Sequence, residues 1–276
     1  MAVCVRLAVP ALTPMQVAFV RFAGSFVVLV LAARGRALLP RRASWPPLVL
    51  RALLGATAIT CYYVGIERAG AGLATLLHAT YPVWTALLAA AFLREPFTGR
   101  IAVALALNLV GAALAIRGEA VLRPEAFVGG LMALVGGVLA GGAVATASGL
   151  RRTESASVIT VWFMAVGAAM TAPSLASGIP ELAPDVMLAL VGVVLTSAAG
   201  QWLMHHGLGF VSPTVGSLAA ATSVVTATVL EALLLGDGVA GIHANVVLGA
   251  VLMLAAVALA SRASPRAAVA ETEPPD

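Results

Sequence analysis

The sequence predicts an all-α integral membrane protein, and three observations carry that prediction: 61% of the residues are hydrophobic, only 10% are charged, and the mean hydropathy is +1.02. A soluble domain carries about 25% charged residues, and its surface helices set a polar face against an apolar stripe. The apolar stretches here have no such face. A helix needs roughly 20 apolar residues to cross the hydrocarbon core, and the stretches between clusters of charge are of that length.

Nine apolar runs follow one another, near residues 14–34, 47–67, 70–93, 100–117, 126–148, 156–177, 184–206, 210–235 and 243–261, each long enough for a spanning helix. The turns between them carry Pro, Gly and Arg, as in 34–47 and 93–100, and leave no room for a soluble domain. The tail, 263–276, reads as a disordered segment. Met1–Pro10 is apolar but too short to span, and it lacks the basic region, apolar stretch and small-residue cleavage site of a signal peptide.

An internal repeat accounts for that stub. Setting each residue beside the one 142 positions later pairs Gly65 with Gly207, Leu76 with Leu218, Ala79 with Ala221, Thr80 with Thr222, Val83 with Val225, Leu88 with Leu230 and Leu93 with Leu235. Glu95 then falls on Asp237, and Met1–Pro10 falls on Ala143–Arg152, the end of the run that begins near Glu125. The expected parent architecture is therefore ten transmembrane helices in two repeats of five. Residues 1–117 form the first repeat, with its first helix truncated, 118–124 a connecting loop, and 125–262 the second. Five is an odd number, so the second repeat enters the membrane from the opposite side, as in inverted-topology carriers.

Arginine sets the orientation. All 16 basic residues are Arg, and with the original N-terminus inside, Arg34, Arg36, Arg41, Arg42, Arg94, Arg100, Arg151, Arg152, Arg262 and Arg266 fall on cytoplasmic connections. Only Arg68, Arg117 and Arg123 fall in the opposite loops. That asymmetry is the positive-inside pattern, and it predicts a multi-pass protein of the cell inner membrane with a cytoplasmic C-terminus. It also accounts for the net charge of +4, so the basicity implies no nucleic-acid partner; the expected partners are the lipid bilayer and a small-molecule substrate.

The absence of lysine excludes a Walker A loop and a lysine Schiff base. Cys4 and Cys61 sit in apolar sequence and read as packing residues. His78, His205, His206 and His243 do not stand at ligand spacing with Cys or carboxylates, so no metal is expected. No HExxH or GxSxG occurs. Neither an enzyme nor a cofactor is expected.

Polar groups inside spans are where function belongs, because burying them in hydrocarbon is expensive unless they face the protein interior or water. Thr75, His78, Tyr81 and Thr85 follow at helical spacing, and Pro82 interrupts their helix near mid-membrane. His78 is either a packing histidine or a substrate contact; Tyr81, near the midplane, is the stronger candidate. Ser197, Gln201 and His205 share one face of the run 184–206, and its repeat partner offers Thr60 and Tyr63. Thr222, Ser223 and Thr226 read as interhelical hydrogen-bonding residues or site residues. Trp84 and Trp162 stand away from span ends, which favours a cavity wall over an interfacial belt. The predicted substrate contacts are thus Tyr63, His78, Tyr81, Trp84, Trp162, Gln201 and Ser223. Arg21 and Glu231 are the charges singled out inside spans, an expected ion pair or gate. With no carboxylate at the midplane, facilitated transport or exchange is expected over proton antiport. Gly129, Gly130, Gly136, Gly137, Gly141 and Gly142 form a small-residue surface for close helix contact.

The chain resembles the drug/metabolite transporter superfamily, in its ten-helix EamA-type branch. The resemblance rests on the run from Gly65 through Leu73 and Tyr81-Pro82 to Leu93-Arg94-Glu95-Pro96, on Gly207–Ala221 closing with Leu233-Leu234-Leu235-Gly236-Asp237, and on Arg21 within Ala18-Phe19-Val20-Arg21-Phe22. It implies a carrier that exports amino acids or similar metabolites by alternating access; the YddG-type aromatic amino-acid exporters are one branch whose cavity Tyr, Trp and His would suit. The sequence departs from the family pattern at Asp237, where Glu is usual, and in the missing front of the first helix. The alternatives are a channel, a structural membrane component, or a carrier of another metabolite or drug.

Overall fold

The computed structural model describes residues 12–34, 38–115, 124–178, 180–235 and 244–263, together with Cys4. Among the described residues every regular element is helical. Helix α1 spans Pro14–Ala32, and α2, Trp45–Ala69, is entered through a 3-10 turn at Arg42–Ser44. Then come α3 (Ala71–His78), α4 (Tyr81–Leu93), α5 (Gly99–Ala115), α6 (Pro124–Leu150) and α7 (Ala156–Thr171). After a second 3-10 turn, Ala172–Ser177, follow α8 (Pro184–Gly207), α9 (Pro213–Ala221), α10 (Ser223–Leu235) and α11 (Ala244–Ala263).

Seven stretches are long and apolar enough to cross a bilayer, namely Pro14–Ala32, Arg42–Ala69, Leu73–Leu93, Phe127–Leu150, Ala156–Ser177, Pro184–Gly207 and Ala244–Ala263. Each coincides with an expected span. Of the other two, Gly99–Leu114 is apolar but shorter, and 210–235 is divided between α9 and α10. The chain is a multi-pass helical membrane protein. The segment expected as a partial first helix (residues 1–10, apart from Cys4), the expected connecting loop 118–124 before Pro124, Asp237, and the tail beyond Ala263 lie outside the described residues.

Helix limits recur at the offset read from the sequence. α1 and α7 begin at Pro14 and Ala156, α3 and α9 at Ala71 and Pro213, and α4 and α10 cover Tyr81–Leu93 and Ser223–Leu235. Their caps recur too. The Thr13 hydroxyl accepts the N–H of Gln16 at 3.3 Å, and the Ser155 hydroxyl accepts that of Val158 at 3.2 Å. Such caps satisfy donors that a helix start leaves open and contribute about 1 kcal/mol each.

The α3–α4 pair, one apolar stretch long enough to cross a bilayer, and the α9–α10 pair are broken at equivalent places. Thr80 donates its hydroxyl to the carbonyl of Leu77 at 2.7 Å, and Thr222 does the same to Ala219 at 2.6 Å. A threonine bonded back to its own helix competes with the backbone ladder and bends it. In the first break Pro82 adds to this, since it has no N–H to give the His78 carbonyl.

The described helices form two compact units, and each draws on both halves of the sequence. The first comprises residues 1–60 and 146–210, with α1 packed on α7 and α8. Its centre is aromatic: Phe22 lies where a Cβ on Gly167 would stand, 2.5 Å from the ring's Cδ1, and meets Phe163 edge-on at 5.4 Å.

The second unit comprises residues 61–145 and 211–269, with α5 packed on α11 and α4 on α9. Its apolar centre includes Ala86, Ile101, Ala104, Leu218, Ala256 and Ala260. Small residues let these backbones approach, as membrane helices require in the absence of a hydrophobic drive between them. A Cβ on Gly111 would lie 2.7 Å from the Gly249 carbonyl oxygen. The glycine surface of α6 serves the same purpose: Gly129 faces Ala69, Gly130 faces Leu77, and Gly141 faces Trp84. At Gly137 an added Cβ would sit 3.1 Å from the carbonyl oxygens of both Leu77 and His78, so α6 seats directly on the first helix break.

Candidate substrate site

Aromatic side chains of the second unit gather at the α3–α4 break. The Tyr62 ring stacks on His78 with centroids 4.5 Å apart, and its hydroxyl meets Thr75 Oγ1 at 2.8 Å. Tyr63 lies 5.9 Å from Tyr62, and Tyr81 lies 6.0 Å from His78. Tyr81 donates its hydroxyl to the Ser217 carbonyl at 2.9 Å, tying α4 to α9. Trp84 donates its indole N–H to Thr80 Oγ1 at 3.2 Å, so the tryptophan is fixed to the break itself. The Tyr63 hydroxyl is buried and has no hydrogen-bond partner among the described residues. Ser223 begins α10 next to the second break and is exposed.

Three helices thus bring Tyr62, Tyr63, His78 and Tyr81 together, with Trp84 bonded to the same break at Thr80, and all of these but Tyr62 are expected from the sequence. Flat aromatic faces beside a few hydroxyl and imidazole groups suit a solute with one apolar and one polar part.

The first unit holds a different group along one face of α8. Ser197 and His205 are buried there, and each receives an arginine from a neighbouring helix. Arg21 Nε donates to Ser197 Oγ at 2.7 Å. Arg51 Nη2 stands 2.9 Å from His205 Nε2. A guanidinium can only donate, so Nε2 accepts and the histidine proton sits on Nδ1. That proton points to Thr160 Oγ1 at 2.7 Å, and the Thr160 hydroxyl passes on to the Ala156 carbonyl at 2.7 Å. Gln201, between Ser197 and His205 on the same face, has its Oε1 buried without a partner among the described residues.

The expected Arg21–Glu231 pair falls partly outside the described residues, and Trp162 has a partner within its own unit. Arg21 bonds Ser197, while the side chain of Glu231 lies outside the described residues. Trp162 does serve an element end: its N–H reaches the Leu38 carbonyl at 2.9 Å, and its ring meets Trp45 edge-on at 4.5 Å. Leu38 and Trp45, on either side of the 3-10 turn that leads into α2, thus both meet it.

Arg51 went unnoticed although it falls inside an apolar run, where an ionisable residue is the strongest local signal of function. Tyr62 had no such signal, since only the neighbouring helix gives it a partner.

Comparison with known proteins supplies three findings. Residues 1–117 match the EamA-like transporter family. No curated protein matches the chain. Among solved structures, one described only as the crystal structure of a protein superposes with a TM-score of 0.77 over 95% of this chain and 92% of that one, at 18% identity; at that identity the likeness concerns the fold.

Proposed function

We propose, from the premise that residues 1–117 belong to the EamA-like transporter family and the chain is a membrane transporter, that it exports small amphipathic metabolites, most simply aromatic or neutral amino acids, from the cytoplasm across the inner membrane. The observation that carries this reading is the aromatic group at the α3–α4 break, where Tyr62 stacks on His78 at 4.5 Å, Tyr81 lies 6.0 Å from His78, and Trp84 bonds Thr80 of the break. Interrupted helices at matching places in two halves are where repeat-built carriers hold substrate. Repeats over 1–117 and 125–262, with opposite membrane orientation, would let the two breaks exchange roles as the site alternates between sides. The thread of evidence for repetition is the recurrence of helix starts, hydroxyl caps and threonine breaks at one offset.

Transport by purified protein in liposomes tests the reading. Uptake of labelled phenylalanine, tryptophan, threonine and methionine is expected to saturate and to be stimulated by the same amino acid loaded inside. Flux that rises linearly with concentration and ignores the internal load would mark a pore instead.

A further inference from the structure

Arg51 is 2% exposed, yet its Nε and Nη1 have no acceptor among the described residues. Among the described residues its hydrogen bond goes to His205, which the order of donors holds neutral, so nothing in that bond offsets the charge. Its remaining support is the Phe163 ring, 4.3 Å from the guanidinium carbon. Gly55, one turn along the same helix, leaves open the space that Nη1 fills. A buried charge without a counter-charge costs several kcal/mol, and a membrane protein that keeps one generally uses it.

The surroundings say what the missing group is. A planar fork of donors matches a planar two-oxygen acceptor. Phe163 and Phe22 make the adjoining wall apolar. Arg42 and Arg152 are exposed on the segments at this end of the unit, where the Arg41 N–H bonds the Glu154 carboxylate at 2.9 Å. Exposed positive charge in the same unit raises the local concentration of anions. We infer that Arg51 is the docking point for the carboxylate of an apolar or aromatic acid, with His205 and Thr160 holding the guanidinium in place. This rests on the transporter reading and adds to the aromatic group of the second unit a separate carboxylate-binding position within the first.

The test uses the full chain in detergent, with sodium benzoate as the probe, benzamide as its neutral counterpart, and sodium chloride at equal ionic strength. Benzoate is expected to raise the unfolding midpoint by several degrees over both controls. Arg51→Met, which replaces an unpaired buried charge by an apolar chain of similar length, is expected to fold and to lose the shift; Arg100→Gln, at an exposed arginine of the second unit, is expected to keep it. A shift equal to that of chloride or benzamide overturns the proposal, as does a benzoate shift that survives in Arg51→Met. If the methionine variant fails to fold, Arg51→Lys decides: it keeps the charge but not the fork, and an undiminished shift counts against the site. In liposomes, Arg51→Lys should raise KM for phenylalanine about tenfold, and phenethylamine should not compete. Absence of saturable flux for the whole amino-acid panel would sink the carrier reading, while the benzoate result would still decide the anion site.

Discussion

Asn108 is 1% exposed on α5, and both its carboxamide oxygen and nitrogen are buried with no partner among the described residues. Its neighbours along that face are Ala104 and Ala112, both fully buried. An orphaned buried amide costs about 1–3 kcal/mol, so Asn108→Leu is expected to raise stability by an amount of that order, read as a higher unfolding midpoint in detergent. A fall would show that the amide has a partner in the membrane. Tyr81 poses the opposite case, because its hydroxyl holds the Ser217 carbonyl. Tyr81→Phe should lose about 1 kcal/mol of stability with its ring and most of the flux retained. Tyr81→Ala should lower export about tenfold or more, and full flux in that variant would place the substrate elsewhere. The sequence made Tyr81, His78 and Trp84 legible because they stand three residues apart in one apolar run. Arg51 and Tyr62 take their meaning from other helices: His205 arrives 154 residues later, and no local spacing encodes that.

At the scale of elements, span positions were readable since lipid demands a long unbroken apolar run. The first break was readable as well, from Pro82. The second was not, because Val224 stands where the proline would be and Thr222 alone marks it. Replacing the hydroxyl while keeping the shape, Thr222→Val, is expected to straighten that break and slow exchange between the two faces of the site, leaving binding intact; an unchanged turnover with unchanged KM would show that the threonine bond is incidental. The α5–α11 contact has less freedom. With the Gly249 carbonyl 2.7 Å from where a Gly111 Cβ would be, Gly111→Leu must push two backbones apart, and a loss of about 1–3 kcal/mol is expected, measured as a lower unfolding midpoint.

For the whole molecule, the division into units that each combine both sequence halves could not be read along the chain. Repeat periodicity reports what is similar, whereas packing reports what is adjacent. In the first unit α1 lies against its repeat partner α7, and in the second α5 lies against α11. Orientation remains a prediction of the arginine asymmetry, and it is tested by impermeant maleimide on intact cells after Cys4 and Cys61 are changed to Ala. Cysteine placed at Arg42 or Arg100 should be protected and cysteine at Glu181 should react, all three positions being exposed in the protein. The reverse labelling pattern would turn the topology over.

The bond from Trp84 to Thr80 also makes the first break optically visible. Of the four tryptophans, Trp45, Trp162 and Trp202 belong to the first unit and only Trp84 to the second. Changing those three to Phe leaves a single emitter whose indole N–H is anchored on the hinge threonine. Any rearrangement that parts the two must alter the polarity around the excited ring, so its emission maximum should shift on mixing with saturating substrate. The rate of that shift would time the conformational step directly, free of the flux assay. A spectrum that stays fixed under turnover would show that the α3–α4 break is rigid scaffold.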